Sequence, residues 1–179
     1  MKNNDTTPQA NESSTDRSAA LREYVSMLRM AAQSPLTSEQ IASLNDSMAI
    51  REIAGLDATI GTSYRELGPN HLVMEMTVDE RHLQPWGLAN GGMFATLGES
   101  AGSVAGFIAV GGKQPVVGVN NSTDFYRSAQ AGDVVVSTAT PVHLGRTSQV
   151  WEIRHTRDSD GKLLSRTNLR LAILPAEAK

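Results

Sequence analysis

The sequence contains no cysteine, and this absence removes several kinds of chemistry. Without cysteine among its 179 residues, the chain has no disulfide, no thiolate metal site and no cysteine nucleophile, and it is compatible with the cytosol. The four histidines show neither the HxxH nor the HExxH spacing that is common in metal sites. We therefore expect no metal.

Long apolar runs and an excess of positive charge are also missing. No apolar run reaches 18 residues without a charge, and the polar N-terminus lacks the apolar core of a signal peptide. The net charge of −3 gives no basic field that would favour nucleic acid or an anionic membrane. These observations predict a soluble, cytoplasmic protein with neither nucleic acid nor membrane as a partner.

Composition divides the chain into three parts. Residues 1–17 are rich in Asn, Asp, Ser and Thr, which predicts a disordered tail. Residues 18–44 form a predicted helical extension, with apolar residues at helical spacing over 18–33 and a capping signature that opens a second helix at about 38–46. Residues 45–179 are then long enough for one main domain with a single core.

The main domain combines strands with one long helix. Extended patterns over 57–67 and 71–79, joined by a Gly-Pro-Asn turn, predict a hairpin. A long apolar helix follows at 93–110. Four strands are expected after it, over residues 116–126, 132–143, 148–156 and 163–174. This order predicts an α+β domain in which one antiparallel sheet wraps the helix.

The stretch from Gln84 to Ser103 carries the strongest functional signal. A Pro/Gly turn leads to Gly91-Gly92, where backbone N–H groups at the positive end of a helix can bind a polarised oxygen. Glu99 is the only charged residue of the helix, which we expect to be buried almost all round. Since burying a carboxylate is costly, Glu99 is a catalytic candidate. The alternative is a carboxylate satisfied by local hydrogen bonds or facing a subunit interface.

These residues and this order of elements resemble the hotdog-fold acyl-CoA thioesterases. The resemblance covers roughly residues 45–174 and is to the subgroup of the 4-hydroxybenzoyl-CoA, 1,4-dihydroxy-2-naphthoyl-CoA and phenylacetate-pathway thioesterases. Four positions match the family's motif: Gln84, Gly91, Gly92 and Glu99. The family's His before the Gly-Gly pair is Asn90 here. Asn can donate a hydrogen bond, but it cannot carry a proton on and off near neutral pH.

The resemblance and the residue chemistry together predict thioester hydrolysis. The Gly92 N–H would polarise the carbonyl, and Gln84 would position the thioester or its attacking water. Glu99 would act as nucleophile or as general base, and both roles remain open. Ser103, one helical turn further on, could hold the water or tune the carboxylate. Asn90 completes the predicted catalytic group.

Further residues are expected to bind the substrate, an aromatic or medium-chain acyl-CoA. They are Gly91, Trp86, Arg127, Ser128, His143, Gly145, Arg146 and Thr147. The arginines can fork onto CoA phosphates, although surface arginines usually face only water. Trp86 could line the acyl pocket or belong to the core or an interface. Coenzyme A would be part of the substrate, so no separate cofactor is expected.

A distance argument predicts the assembly. Gly92 and Glu99 are seven residues apart, which is roughly 10 Å of helix rise, so one helix cannot bring both to one carbonyl carbon. We therefore expect a homodimer with shared sites, and the resemblance implies that dimers pair into a homotetramer. Two alternatives stay open: a non-catalytic CoA- or acyl-binding protein, and an acyl-thioester hydratase or dehydratase.

Overall fold

The structure is a computed structural model that describes residues 10–49 and 54–176. Its helices are α1 (Ala10–Ala31), α2 (Ser38–Met48), α3 (Leu56–Ile60), a short 3-10 helix (Glu80–His82) and α4 (Gly91–Ala109). Its strands are β1 (Thr62–Gly68), β2 (His71–Thr77), β3 (Val116–Phe125), β4 (Val134–Leu144), β5 (Ser148–Arg157) and β6 (Leu163–Ile173). The strands form one antiparallel sheet in the order β1-β2-β4-β5-β6-β3, and α4 packs on it, which confirms the predicted architecture.

Helix α4 lies close to the sheet because three glycines recur on the face that meets β6. Gly98, Gly102 and Gly106 recur every four residues, which puts them on one face of the helix. A methyl group at any of these positions would overlap side chains of β6. This close packing fixes the backbone of α4 relative to the sheet, and with it the positions of side chains on the neighbouring faces.

The N-terminal extension is helical, as predicted, but α1 begins earlier. Residues 10–17, which belong to the predicted disordered tail, form the first turns of α1, while residues 1–9 lie outside the described residues. Adding residues to an existing helix gains hydrogen bonds without a new nucleation cost. The C-terminal part of α1 is held in place by packing, since Leu28 and Ala31 are buried in the same core as the sheet, and the helix can extend from there towards residue 10. A boundary at residue 45 stays a prediction.

The segment before the first hairpin differs from the prediction. The sequence predicts a strand over 57–67, but α3 forms first and β1 begins at Thr62. The glycines that flank α3 explain this, because Gly55 and Gly61 have φ of 58° and 69°, which strand residues do not adopt. The long helix and the other strands lie within two residues of their predicted limits.

Within residues 10–49 and 54–176, no helix combines the length and apolar character that a membrane crossing requires. The same part of the chain brings no three His, Asp or Glu side chains together in a way that could hold a metal ion. The expectation that the protein binds no metal stays a prediction.

Candidate active site

Backbone hydrogen bonds hold the loop that precedes α4. The Gly87 N–H donates to the Gln84 carbonyl over 2.9 Å, and the Gln84 N–H donates to the Leu88 carbonyl over 2.8 Å. The turn requires glycine at position 87, where φ is 78°. At the end of the loop, the Asn90 N–H donates to the His82 carbonyl over 2.8 Å. The loop therefore leads into the first turn of α4 with a fixed geometry.

Asn90 is the N-cap of α4, and this determines which backbone N–H is free. Its Oδ1 accepts a hydrogen bond from the Gly92 N–H over 2.8 Å, as N-cap side chains commonly do. Gly92, the predicted carbonyl donor, is therefore already bonded. By contrast, no described residue accepts a hydrogen bond from the Gly91 N–H. The free donor at the helix start is thus one residue earlier than the sequence predicts.

A cavity of about 330 Å³ adjoins the start of α4 and brings together four predicted site residues. It is lined by Gln84, Gly91, Arg127 and Ser128, together with Leu88, Ala89, Phe94, Phe125 and Tyr126. The ring of Phe125 lies directly against Gly91, where an added methyl group would come within 3.2 Å of ring atoms. Glycine therefore lets the helix start approach the ring.

Trp86 lies in the same loop and is largely exposed. Its backbone N–H donates to Gln84 Oε1 over 3.3 Å, but its side chain is 84% exposed. Large apolar side chains with this exposure commonly belong to binding surfaces. The predicted role of Trp86 in an acyl pocket therefore lacks support within one chain.

Glu99 lies on α4 beside the edge strand β3. Its Oε2 accepts a hydrogen bond from Asn121 Nδ2 over 3.0 Å. Its Oε1 lies over Gly118, where a methyl group would overlap it, and no described residue donates to this oxygen. The expectation of burial almost all round is wrong within one chain, because Glu99 is only half-buried. The described residues place no further strand beyond β3 to cover it.

A second cavity begins one helical turn beyond Glu99, at Ser103. It has a volume of about 270 Å³ and lies between α4, α1 and the start of β3. Its lining is predominantly apolar: Leu21, Tyr24, Val25, Leu28, Ser103, Val104, Phe107, Pro115 and Val116. The N-terminal extension thus contributes one wall of a cavity next to the candidate carboxylate.

The predicted CoA-binding side chains form two groups at opposite ends of the sheet. These are Arg127 and Ser128 after β3, and His143, Gly145, Arg146 and Thr147 at the β4–β5 turn. Arg127 Nη1 donates to the carbonyl of Leu163, at the start of β6, over 2.8 Å. At the other end of β6, the Ile173 N–H donates to the Thr147 carbonyl over 3.0 Å. Strand β6 has 11 residues, so about 33 Å separates the groups within one chain.

Polar groups also lie between α4 and the N-terminal helices. Ser100, next to Glu99 in the chain, donates to Asp57 Oδ1 over 2.7 Å. Burial raises the pKa of Asp57 above its usual value, and the hydrogen bond from Ser100 offsets only part of this rise. The hydroxyls of Tyr24 and Tyr64 are 2.9 Å apart, and burial raises the pKa of Tyr24 to about 12. The first contact ties α3 to the part of α4 that carries Glu99, and the second ties α1 to β1.

Gly118 and Asn121 contact the candidate carboxylate, a role that the sequence did not predict for either residue. A signal was present, because glycine and consecutive asparagines are depleted in strands, and both occur within the predicted strand 116–126. A β-bulge interrupts the pairing between Gly118 and Asn120. Bulges are frequent beside active sites, where they redirect side chains.

Sequence comparison places the chain among known enzymes. Residues 87–164 match the thioesterase superfamily. The 1,4-dihydroxy-2-naphthoyl-CoA hydrolase of Escherichia coli is 40% identical over 111 residues, which cover 62% of this chain and 80% of the relative. The proofreading thioesterase EntH of Cronobacter sakazakii is 40% identical over 115 residues, which cover 64% of this chain and 82% of the relative.

Solved structures agree with this assignment. A thioesterase from Haemophilus influenzae matches with a TM-score of 0.69 at 28% identity, covering 77% of this chain and 92% of that one. A mutant thioesterase from Pseudomonas aeruginosa matches with a TM-score of 0.68 at 31% identity, covering 78% and 96%. The predicted hotdog fold is confirmed. The chain therefore belongs to the thioesterase superfamily and is a thioester hydrolase.

Proposed function

We propose that the protein is a cytoplasmic acyl-CoA thioesterase that hydrolyses an aromatic or medium-chain acyl-CoA at sites shared between the subunits of a homodimer. The observation that carries the proposal is a carboxylate oxygen, Glu99 Oε1, which lies at the edge of the sheet and accepts no hydrogen bond from a described residue. The relative named 1,4-dihydroxy-2-naphthoyl-CoA hydrolase supports an aromatic acyl-CoA substrate. Coenzyme A is then part of the substrate and not a cofactor.

The start of α4 supplies the donor half of the site. We assign polarisation of the carbonyl to the Gly91 N–H, because the Gly92 N–H is bonded to Asn90. The positive end of the helix dipole acts in the same direction. Gln84 lines the same cavity, so its side chain can position the thioester or the attacking water. Asn90 fixes the first turn, and its Nδ2 group is a further donor.

Glu99 supplies the acid half by one of two routes. As a nucleophile, Oε1 attacks the carbonyl carbon, the C–S bond breaks, the CoA thiolate leaves and takes up a proton, and water then hydrolyses the anhydride. As a general base, the same oxygen takes a proton from water that attacks the carbonyl directly. Ser103, one turn further along α4, can hold that water. Both routes end in a free acid and coenzyme A.

One subunit cannot supply both halves to one substrate. Gly91 and Glu99 are eight residues apart on α4, which corresponds to about 12 Å of helix rise. A neighbouring subunit must provide the other half. The edge strand β3 offers the surface for this contact, because Val119 and Phe125 are exposed on it. Exposed apolar edge strands readily pair with another strand.

The positions of the two halves along β3 suggest the register of this pairing. Glu99 lies over residues 118–121, whereas Gly91 lies against Phe125. Antiparallel pairing of two copies of β3 about an axis near Ser122 places Phe125 of each subunit opposite segment 118–121 of the other. Each Glu99 then meets the partner's Gly91, so a dimer contains two complete sites.

The same pairing brings the two groups of CoA-binding candidates toward each other. Because the strands run in opposite directions, the β4–β5 turn of one subunit lies on the same side as the end of the partner's β3. Arg146 and the partner's Arg127 can then bind phosphates of one CoA, with the neighbouring polar residues of both groups around them. Association of dimers into tetramers stays a prediction.

The acyl group has a matching cavity. The 270 Å³ space between α1 and α4 begins one turn beyond Glu99, and its lining is predominantly apolar. An aromatic ring or a medium-length alkyl chain would gain roughly 25 cal/mol for each Å² of apolar surface buried there. The cavity therefore supports the proposed substrate class, and it gives α1 a role as a wall of the acyl site.

A panel of acyl-CoA substrates with detection of the released thiol tests the proposal. The wild type should release coenzyme A from benzoyl-CoA or octanoyl-CoA, and Glu99→Gln should lose nearly all of this activity. Glu66→Gln is a matched control, since Glu66 is an exposed carboxylate bonded only to His71 among the described residues. A wild type that binds CoA but cleaves no acyl-CoA would support the non-catalytic alternative.

A further inference from the structure

A row of polar side chains crosses the sheet beneath α4 and ends at Glu99. The row consists of Ser137 on β4, His155 on β5, Thr167 on β6, and Thr123 and Asn121 on β3. The first three are completely buried. Apolar residues of the same shape can fill such positions at little or no cost in stability. The row therefore suggests a role other than packing.

Each member of the row lies within hydrogen-bond distance of the next. The distances are 2.8 Å from Ser137 Oγ to His155 Nδ1, 3.0 Å from His155 Nε2 to Thr167 Oγ1, 2.8 Å from Thr167 Oγ1 to Thr123 Oγ1, 2.8 Å from Thr123 Oγ1 to Asn121 Oδ1 and 3.0 Å from Asn121 Nδ2 to Glu99 Oε2. Ser137 is directly opposite His155 in the sheet, and Thr123 is directly opposite Thr167, so each pair shares a face.

The acceptor at the end of the row determines the direction of its hydrogen bonds. The Glu99 carboxylate accepts from the Asn121 amide N–H, and the Asn121 carbonyl oxygen accepts from the Thr123 hydroxyl. Thr123 has then used its only proton, so it must accept from the Thr167 hydroxyl. Thr167 has also used its proton, so it must accept from His155 Nε2–H.

His155 consequently carries a proton on Nε2, which in the neutral imidazole is the only ring proton. Its Nδ1 then accepts from the Ser137 hydroxyl. Burial agrees with this state, since it lowers the pKa of His155 to about 3. The ring of Phe94, with its centroid 5.8 Å from that of His155, covers the imidazole from α4. All five hydrogen bonds therefore donate in the direction of Glu99.

We propose that this row is a positioning device, in which Thr123 orients the Asn121 amide and Asn121 holds Glu99 Oε2, so that Oε1 is aimed at the thioester carbonyl. The inference rests on the proposed function. Asn121 Nδ2 also donates to the Ala95 carbonyl over 3.0 Å, which ties the amide to α4. A carboxylate held in one orientation reaches the reactive geometry without a further loss of rotamer freedom.

Substitutions at Thr123 test the role of the hydroxyl. Thr123→Val keeps the shape and the β-branch but removes both hydrogen bonds, and it should lower kcat about tenfold while leaving KM unchanged. Thr123→Ser keeps the hydroxyl and should stay within about twofold of the wild type. Thr156→Val is the control, because the Thr156 hydroxyl also donates one hydrogen bond, here to the Val136 carbonyl, but Thr156 lies outside the row. An unchanged kcat in Thr123→Val would overturn the proposal.

A double variant separates positioning from a general structural effect. If Thr123 acts through Asn121, the combination of Asn121→Ala with Thr123→Val should be no slower than Asn121→Ala alone. Losses that multiply would show that Thr123 acts elsewhere, and that result would overturn the proposed path. Melting temperatures of all variants identify any variant whose loss of activity merely reflects unfolding.

The tautomer of His155 tests the row without an activity assay. In the ¹⁵N NMR spectrum of labelled protein at neutral pH, Nε2 of His155 should carry the proton and Nδ1 should not. A proton on Nδ1 instead of Nε2 would leave one contact of the row without a proton to donate, and it would refute the proposed path. If the wild type were inert with benzoyl-CoA and octanoyl-CoA, the proposed function would fail while this measurement would still decide the direction of the row.

Discussion

The first turn of α4 and its middle differ in how much of their surroundings one chain supplies. In the loop before the first turn, Trp86 is 84% exposed, and at the first turn no described residue accepts a hydrogen bond from the Gly91 N–H. In the middle, Glu99 Oε2 is bonded to Asn121, which is the last of a row of hydrogen-bonded side chains. The donor half is open to the substrate, whereas the acid half is held in place by its own sheet.

This difference suggests that the two halves of the proposed shared site affect different kinetic constants. In the proposed dimer, the substrate and the partner subunit complete the donor half, so that changes there should alter KM and kcat together. The protein itself orders the acid half, so that changes there should act on kcat. Variants of each half therefore test whether the two halves differ in this way.

The largest effect is expected from Gly118→Ala. Its methyl group would overlap the Glu99 carboxylate and push Oε1 out of position. Because a displacement of about 1 Å can cost 10²-fold in rate, kcat should fall about a hundredfold. Circular dichroism and the elution volume on gel filtration should match the wild type. A variant with normal kcat would mean that the carboxylate need not lie over this glycine.

The pH dependence of stability reports on the acid half through His155. Its pKa is about 3 when folded and about 6.5 when unfolded. Between these values the unfolded chain binds more protons, so stability falls with acidification by up to about 1.4 kcal/mol per pH unit. The His155→Gln variant lacks this contribution. As the pH falls from 6.5 to 4, the wild type should therefore lose stability that the variant keeps, and the difference between their unfolding free energies should shrink. A constant difference across this range, measured by urea denaturation, would contradict a neutral buried His155.

Asn90 tests the donor half. Asn90→Ala should lower the unfolding free energy by about 1 kcal/mol through loss of the N-cap. Asn90→Asp retains an acceptor for the Gly92 N–H, so its stability should stay close to that of the wild type. Its negative charge beside Gly91 should nevertheless raise KM for the thioester. Steady-state kinetics and thermal melting would show whether capping and substrate binding separate as expected.

The smallest effect is expected at the wall of the acyl cavity. Val25→Trp would fill part of the 270 Å³ space, so kcat/KM for octanoyl-CoA should fall about threefold relative to acetyl-CoA. Met30→Trp is the matched control, because Met30 lies on the same helix but is exposed and does not line the cavity. If the wild type and both variants showed the same preference for octanoyl-CoA over acetyl-CoA, α1 would not line the acyl site.

The sequence contains enough information to predict the secondary structure around the site but not the contacts between elements. The apolar run with one acid predicts α4 and singles out Glu99, and the glycine pair predicts where the helix begins. These signals are local, since they depend on periodicity and on backbone propensity. The strands after α4 are predictable for the same reason.

Contacts that depend on how α4 meets the sheet are not predictable in this way. The bond from Asn121 to Glu99 joins residues 22 positions apart and forms only because α4 lies close to β3. The half-exposure of Glu99 depends on β3 being the edge strand, which the order of elements along the chain does not reveal. The Asn90 side chain accepts a hydrogen bond from the Gly92 N–H, so that at the helix start the Gly91 N–H is the one with no acceptor among the described residues.

The central claim is that each site takes its donors from one subunit and its carboxylate from the other. Coexpression of a Glu99→Gln chain and a Gln84→Ala chain with different affinity tags allows purification of the mixed dimer. Each parent homodimer should be nearly inactive, whereas the mixed dimer contains one intact site and should show about half of the wild-type kcat. A mixed dimer no more active than its parents would contradict the shared site.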